Sequence, residues 1–185
     1  MYTTERYEAS VSVEEYLEGY VDVETFLECC KKCPHYGKSW SCPPYDFDVL
    51  EYWRKYRTFD LVAIKILFED TYAGKTCSEE EMQKILEASI WKVKKELSEE
   101  LLLREKGIPG SVSLSAGSCG RCLKGCSRGE GKPCRFPEEM RYSIESLGGN
   151  VGLTISRLMG VELEWMEEGK IPRYFVLVCG LLRGI

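Results

Sequence analysis

Histidine is almost missing from this sequence, with one residue, His35, in 185. Imidazole acid–base chemistry therefore has a single candidate. No Ser/His/Asp set, Walker pattern or dinucleotide fingerprint stands beside it. Long hydrophobic runs are missing too, because no stretch approaches the roughly twenty apolar residues of a membrane span. The opening residues, Met1 to Glu8, lack the apolar core and cleavage pattern of a secretory signal, so a reducing, cytoplasmic setting is expected. An excess of positive charge is likewise absent. Lys plus Arg number 25 against 30 for Asp plus Glu, a formal net charge of −5, so neither nucleic acid nor a membrane surface is an expected partner. There is no internal repeat, low-complexity tract or long Pro/Ser/Gly linker. With 44% hydrophobic and 30% charged residues the chain reads as one ordinary globular domain.

Helix and strand signals alternate along the chain. Ser12 with Glu15 predicts a helix start ahead of Tyr16 and Leu17, and Asp22 predicts another carrying Phe26 and Leu27. Asp46 or Asp48 can cap a third with Val49, Leu50 and Trp53 on one face. Phe59 to Phe68 is a nearly unbroken apolar run, which suits a strand buried on both faces. Ser78 with Glu81 opens a long helix striped by Met82, Ile85, Leu86, Ile90, Val93, Leu97 and Leu101, with an expected break near Ser98 and a stop at Gly107. Ser111 to Ser115 alternates as a short strand. Pro137 predicts a helix through Leu147, Asn150 caps another to Met159, Val161 to Trp165 is weakly strand-like, and Arg173 to Cys179 is a second buried strand. The expected fold is α/β or α+β, a sheet of three to four strands with packed helices and a Cys-rich loop. Residues 1–57 form an N-terminal helical segment with the first cysteine motif, and 58–185 the sheet-containing unit with the second.

Cysteine is what the sequence has in excess, ten residues in all. Eight fall in two windows: Cys30-x2-Cys33-x8-Cys42 with Cys29 adjacent, and Cys119-x2-Cys122-x3-Cys126-x7-Cys134. In a reducing compartment such clusters are metal ligands more often than disulfides. A two-residue gap lets successive thiolates turn inward on one centre, and the glycines scattered from Gly117 to Gly131 allow the chain to wrap it. Four thiolates suit zinc or a [4Fe–4S] cluster. Ligands at short gaps completed by one more distant Cys resemble ferredoxin runs, as do the Cys33-Pro34 and Cys42-Pro43 pairs. The spacing therefore favours one or two [4Fe–4S] clusters, with zinc as the alternative. Arg121, Lys124, Arg128, Lys132, Arg135 and Arg141 would offset the charge of either.

The first window supplies three thiolates, and its fourth ligand is open. Cys29, His35, a water or substrate, or a cysteine of the second window could complete it; neighbouring helical side chains diverge, so Cys30 is favoured over Cys29. Cys42 or Cys134 could also cross between centres, as in two-cluster ferredoxins. Cys77 and Cys179 read as an incidental thiol and a small core residue. Trp40 and Tyr36 are candidates to shield the first site. Arg141 and Glu145, four apart, read as a surface helix pair, with an anion held by Arg135 and Arg141 as the functional alternative.

Two stretches resemble the family called domain of unknown function 2284, whose members are described as predicted metal-binding proteins. They are CKKCPHYGKSWSCPP, Cys30 to Pro44, and AGSCGRCLKGCSRGEGKPCRFPEEMRYSIES, Ala116 to Ser146. The resemblance runs from about Asp22 onward. It departs where the third gap of the Cys-rich loop is three residues instead of two, and where Gly149-Asn150-Val151 replaces a Gly-x-Asp-Val. It implies metal binding and no reaction class. Taken together, the expectation is a cytoplasmic iron–sulfur protein in electron transfer with a redox partner protein. The alternatives are a zinc-stabilised interaction module, or an enzyme using an open three-Cys centre as a Lewis acid.

Overall fold

The computed structural model describes residues 1–122, 124–167 and 169–184. Its elements run β1 (Tyr2–Ser12), α1 (Val13–Tyr20), α2 (Val23–Lys31), α3 (Val49–Arg54), β2 (Thr58–Phe68), α4 (Glu79–Leu86), α5 (Lys92–Gly107), β3 (Val112–Leu114), α6 (Val151–Met159) and β4 (Tyr174–Arg183). The sheet is antiparallel throughout, in the order β1-β2-β4-β3. This is an α+β protein.

The near-continuous apolar sequence of β2 follows from its central place. Successive side chains alternate between faces, so Phe59, Leu61 and Ala63 join one core while Val62, Ile64 and Ile66 join another. The first core is closed by Tyr16, Trp53 and Ile155 from α1, α3 and α6. The second is closed by Ile90, Val93, Leu97 and Leu101. Both faces are covered, so a buried strand has no polar side to show. The helix starts are capped as their sequences direct. Ser12, Asp22, Asp48 and Asn150 each accept from the backbone N–H three residues on, and Ser78 with Glu81 makes the full reciprocal box.

Four expectations are corrected. The chain opens on a strand: β1 pairs with β2 from Tyr2↔Phe68 to Ser12↔Thr58. Only Val11 of β1 is buried; Tyr7, Ala9 and Val11 do alternate onto the first core, but the charged residues between them on this edge strand masked that short pattern. The long helix is interrupted by a π turn at Glu87–Trp91, where Ser89 Oγ donates to Ile85 O at 2.5 Å, and runs unbroken through Ser98. No helix spans 137–147. Ser115 N–H donates to Tyr142 O at 2.8 Å and Ser115 bridges Ser143, which draws this stretch out beside the β3 end, leaving only a 3-10 turn at Glu145–Leu147. Val161–Trp165 forms no strand, although Val161 is buried in the first core. Among the described residues no helix is long and apolar enough to cross a membrane.

Candidate metal centre

The first cysteine window starts at the C-terminal end of α2, which delivers Cys29 and Cys30. The helix ends in a turn, with Cys33 N–H donating to Cys30 O at 2.9 Å, so Cys33 folds back toward the helix end. Gly37 N–H then donates to Pro43 O at 2.8 Å and closes the loop that returns Cys42. The Pro43–Pro44 peptide is cis. Ser39 and Ser41 are buried beneath this loop with their hydroxyls 3.0 Å apart. The thiols feel one another. Burial, and then the neighbouring Cys42, Cys33 and Cys29, push the Cys30 thiol up to about 11. Burial also raises Cys42, against hydrogen bonds from Ser41 and Ser39. Cys29 itself is exposed.

The second window begins just past β3. Gly120, between Cys119 and Cys122, has φ of +69°, a left-handed turn that a side chain would strain and that lets the two thiols face one way. Cys119, Cys122, Cys126 and Cys134 all line one cavity of about 360 Å³. Its opposite wall comes from the first window: His35, Lys38, Ser39 and Trp40. Burial opposes ionisation of Cys126, but the N–H groups of Arg128 and Trp40, the Ser39 hydroxyl and the Arg135 guanidinium together lower its pKa below the ordinary thiol value. Cys119 is raised by burial, against backbone N–H groups of Arg121 and Arg141.

The two windows interlock. Trp40 N–H donates to Cys126 Sγ at 3.4 Å and Cys119 N–H donates to Ser41 Oγ at 3.1 Å. Ser41 Oγ lies in turn 3.8 Å from Cys42 Sγ. Arg128 spans the join, donating to Ser39 O, Cys42 O and Pro44 O at 2.9, 2.6 and 2.6 Å, with its guanidinium 5.1 Å from the Trp40 ring centroid.

Several single residues stand elsewhere than the sequence suggested. His35 and Trp40 line the cavity of the second window, and Trp40 N–H donates to Cys126 Sγ. Arg141 does not pair with Glu145: its guanidinium holds Glu105, with Nε 2.9 Å from Oε2 and a second, shorter contact to Oε1. Arg135 is engaged by Glu130 and by Gly125 O, so neither arginine is left to hold a free anion. Cys179 is buried in β4, and Cys77 lies apart, near Lys75 O. Sequence reasoning missed Arg128 as a clamp, Ser41 as a bridge, and Lys94, which donates to Ser118 O at 2.6 Å beneath the Cys-rich loop. For these no sequence signal was present, since each acts on backbone atoms that only the fold brings near.

All ten cysteines are free thiols. Among the described residues no three Cys, His, Asp or Glu side chains converge tightly enough to hold one ion as they stand. The donor set nevertheless fits a thiolate-bound centre: four sulfurs on one cavity, N–H groups aimed at sulfur, and guanidinium groups to offset negative charge. The fold and site thus define an α+β protein with a cysteine-lined cavity built from two interlocked loops. The chain belongs to the family of predicted metal-binding proteins termed DUF2284, which it matches over residues 18–179. No curated protein and no solved structure matches it.

Proposed function

We propose that the protein is an iron–sulfur carrier of the cytoplasm, with a [4Fe–4S] cluster held by Cys119, Cys122, Cys126 and Cys134 and a second centre at Cys30, Cys33 and Cys42. The observation that carries this reading is that four cysteines, spaced C-x2-C-x3-C-x7-C, line a single cavity. A bound cluster supplies one-electron transfer, which a redox partner protein would draw on. The chain's own groups suit that role. Trp40 N–H and the backbone near Arg128 donate to Cys126, which stabilises thiolate over thiol. Arg128 and Arg135 offset charge at the site, and the Trp40 ring covers it from the side of the first window.

Purification without oxygen tests this, with iron and acid-labile sulfide assayed and EPR recorded after dithionite. Iron and sulfide in cluster ratio with a reduced-cluster signal is the expected result. Stoichiometric zinc without sulfide would replace this reading with a colourless, zinc-stabilised interaction module.

A further inference from the structure

One peptide group, Ser118–Cys119, is held from both sides. Its carbonyl oxygen accepts from Lys94 Nζ at 2.6 Å, and its N–H donates to Ser41 Oγ at 3.1 Å. Lys94 comes from α5 and Ser41 from the loop that returns Cys42, so two elements distant in sequence meet on one peptide plane. Ser41, Ser118 and Cys119 all line the cavity of the second window. The clamp thus lies in the wall of that cavity and fixes the backbone from which the Cys119 side chain leaves.

The contacts continue into the first window. Ser41 is buried, and its oxygen accepts the Cys119 N–H. That leaves its own proton for Cys42 Sγ, 3.8 Å away, or Ser39 Oγ, 3.0 Å away. Hydrogen bonds in series strengthen one another where water is excluded. An ammonium on the Ser118 oxygen polarises the peptide, which makes the Cys119 N–H a stronger donor and the Ser41 hydroxyl a stronger one in turn. Lys94 is half-buried, so its charge is screened less than a surface lysine's. Burial works against that ammonium, while Cys179, the Glu145 carboxyl, Cys119 and Cys42 favour it.

We propose that Lys94 and Ser41 are positioning residues that link the two cysteine windows. Lys94 orients Cys119 through the Ser118 carbonyl and Ser41 passes its influence to Cys42, so one ammonium raises the reduction potential of both centres. The inference rests on the iron–sulfur reading above. An added electron makes a centre more negative, and a nearby cation or a hydrogen bond to sulfur favours that state.

The test is a redox titration followed by EPR on protein made without oxygen, with dithionite as the electron donor. C33S leaves the second centre to be read alone, and C122S the first. Adding K94M to C33S is expected to lower the ratio of reduced to oxidised centre at a fixed poise about tenfold, about 59 mV toward more negative potential for one electron. In C122S, K94M and S41A are each expected to lower the first-centre potential, and K94M to add nothing once S41A is present. K94R keeps the charge and is expected to recover part of the loss. K94M with unchanged potentials overturns the proposal. So does a K94M shift at the first centre that persists in full beside S41A, since the charge would then act through space alone. C122S with no centre left overturns the link too, while leaving the iron–sulfur reading standing. Wild type without acid-labile sulfide sinks that reading and the proposal together. Far-UV circular dichroism checks that K94M folds. If it does not, S41A decides alone, and an unchanged first-centre potential overturns the proposal.

Discussion

Arg128 donates to the carbonyl oxygen of Cys42 at 2.6 Å, which ties a side chain of the second cysteine window to the backbone of the first. The same guanidinium holds Ser39 O and Pro44 O, so three loop carbonyls share one planar fork. A lysine has a single ammonium and cannot reproduce that geometry. R128K is therefore expected to behave much like R128A. Each should destabilise the protein by about 2 kcal/mol, the scale for lost hydrogen bonds to a charged group, and should speed metal loss from both windows. Denaturant unfolding and the rate of metal transfer to a chelator check this. Loss of metal from the second window alone would mean the two loops are not coupled through Arg128.

The windows draw on separate cysteines, and single substitutions separate them. C122S removes a thiol that lines the shared cavity, and is expected to abolish the second centre while the first keeps its metal. C33S is expected to do the reverse. C77S and C179S are expected to leave metal content unchanged, with C179S costing about 1–3 kcal/mol because it places a hydroxyl in a fully buried apolar strand. Metal analysis of the four variants side by side is the measurement.

What the sequence made legible was whatever burial and local chemistry write into it. The two apolar strands, Phe59–Phe68 and Arg173–Cys179, were readable because a strand covered on both faces must be apolar throughout. Asp22, Ser78 and Asn150 were readable as caps because their side chains answer orphan N–H groups three residues on. The cysteine spacing pointed to a common centre for Cys119, Cys122, Cys126 and Cys134; the four line one cavity but do not close on an ion as they stand. What stayed hidden depends on partners distant in the chain. β1 is held by backbone pairing to β2, and its short alternation of Tyr7, Ala9 and Val11 is masked by charged neighbours. The segment after Pro137 has a helix-like sequence, yet Arg141 is drawn to Glu105 and Ser143 to Ser115, contacts that outweigh local propensity. Glu145 looked like a surface partner of Arg141 for the same reason.

Gly148 shows how tightly that segment is fixed. Its φ is +82°, and a methyl group there would meet both Val23 Cα and Val23 Cγ2 at 2.9 Å. G148A is expected to cost about 2 kcal/mol or more, combining left-handed strain with a backbone clash. Gly148 O also accepts from Asp22 N–H, so the displaced turn should loosen the start of α2 together with the drop in stability. Thermal unfolding and the helical signal in far-UV circular dichroism, measured on the same sample, check both halves.

The Glu105–Arg141 pair gives a prediction with a definite sign in pH. Burial alone would raise the Glu105 carboxyl, but the Arg141 guanidinium and the N–H and hydroxyl of Ser113 outweigh it and hold it below its ordinary value of 4.5. A carboxyl whose pKa is lower folded than unfolded stabilises the fold fully above the unfolded value, and that stabilisation fades as pH falls through the folded one. The pair also ties α5 to the stretch between the Cys-rich loop and the Glu145 turn, so its loss should be felt near the metal centre. E105Q keeps the shape and removes the charge. At neutral pH it should be less stable than wild type by about 2 kcal/mol, and the gap should close progressively below about pH 4 as the wild-type carboxyl takes up its proton. Urea unfolding of metal-free protein at a series of pH values measures that gap. A gap that stays constant down to pH 2 would show that Glu105 contributes through packing and not through its charge.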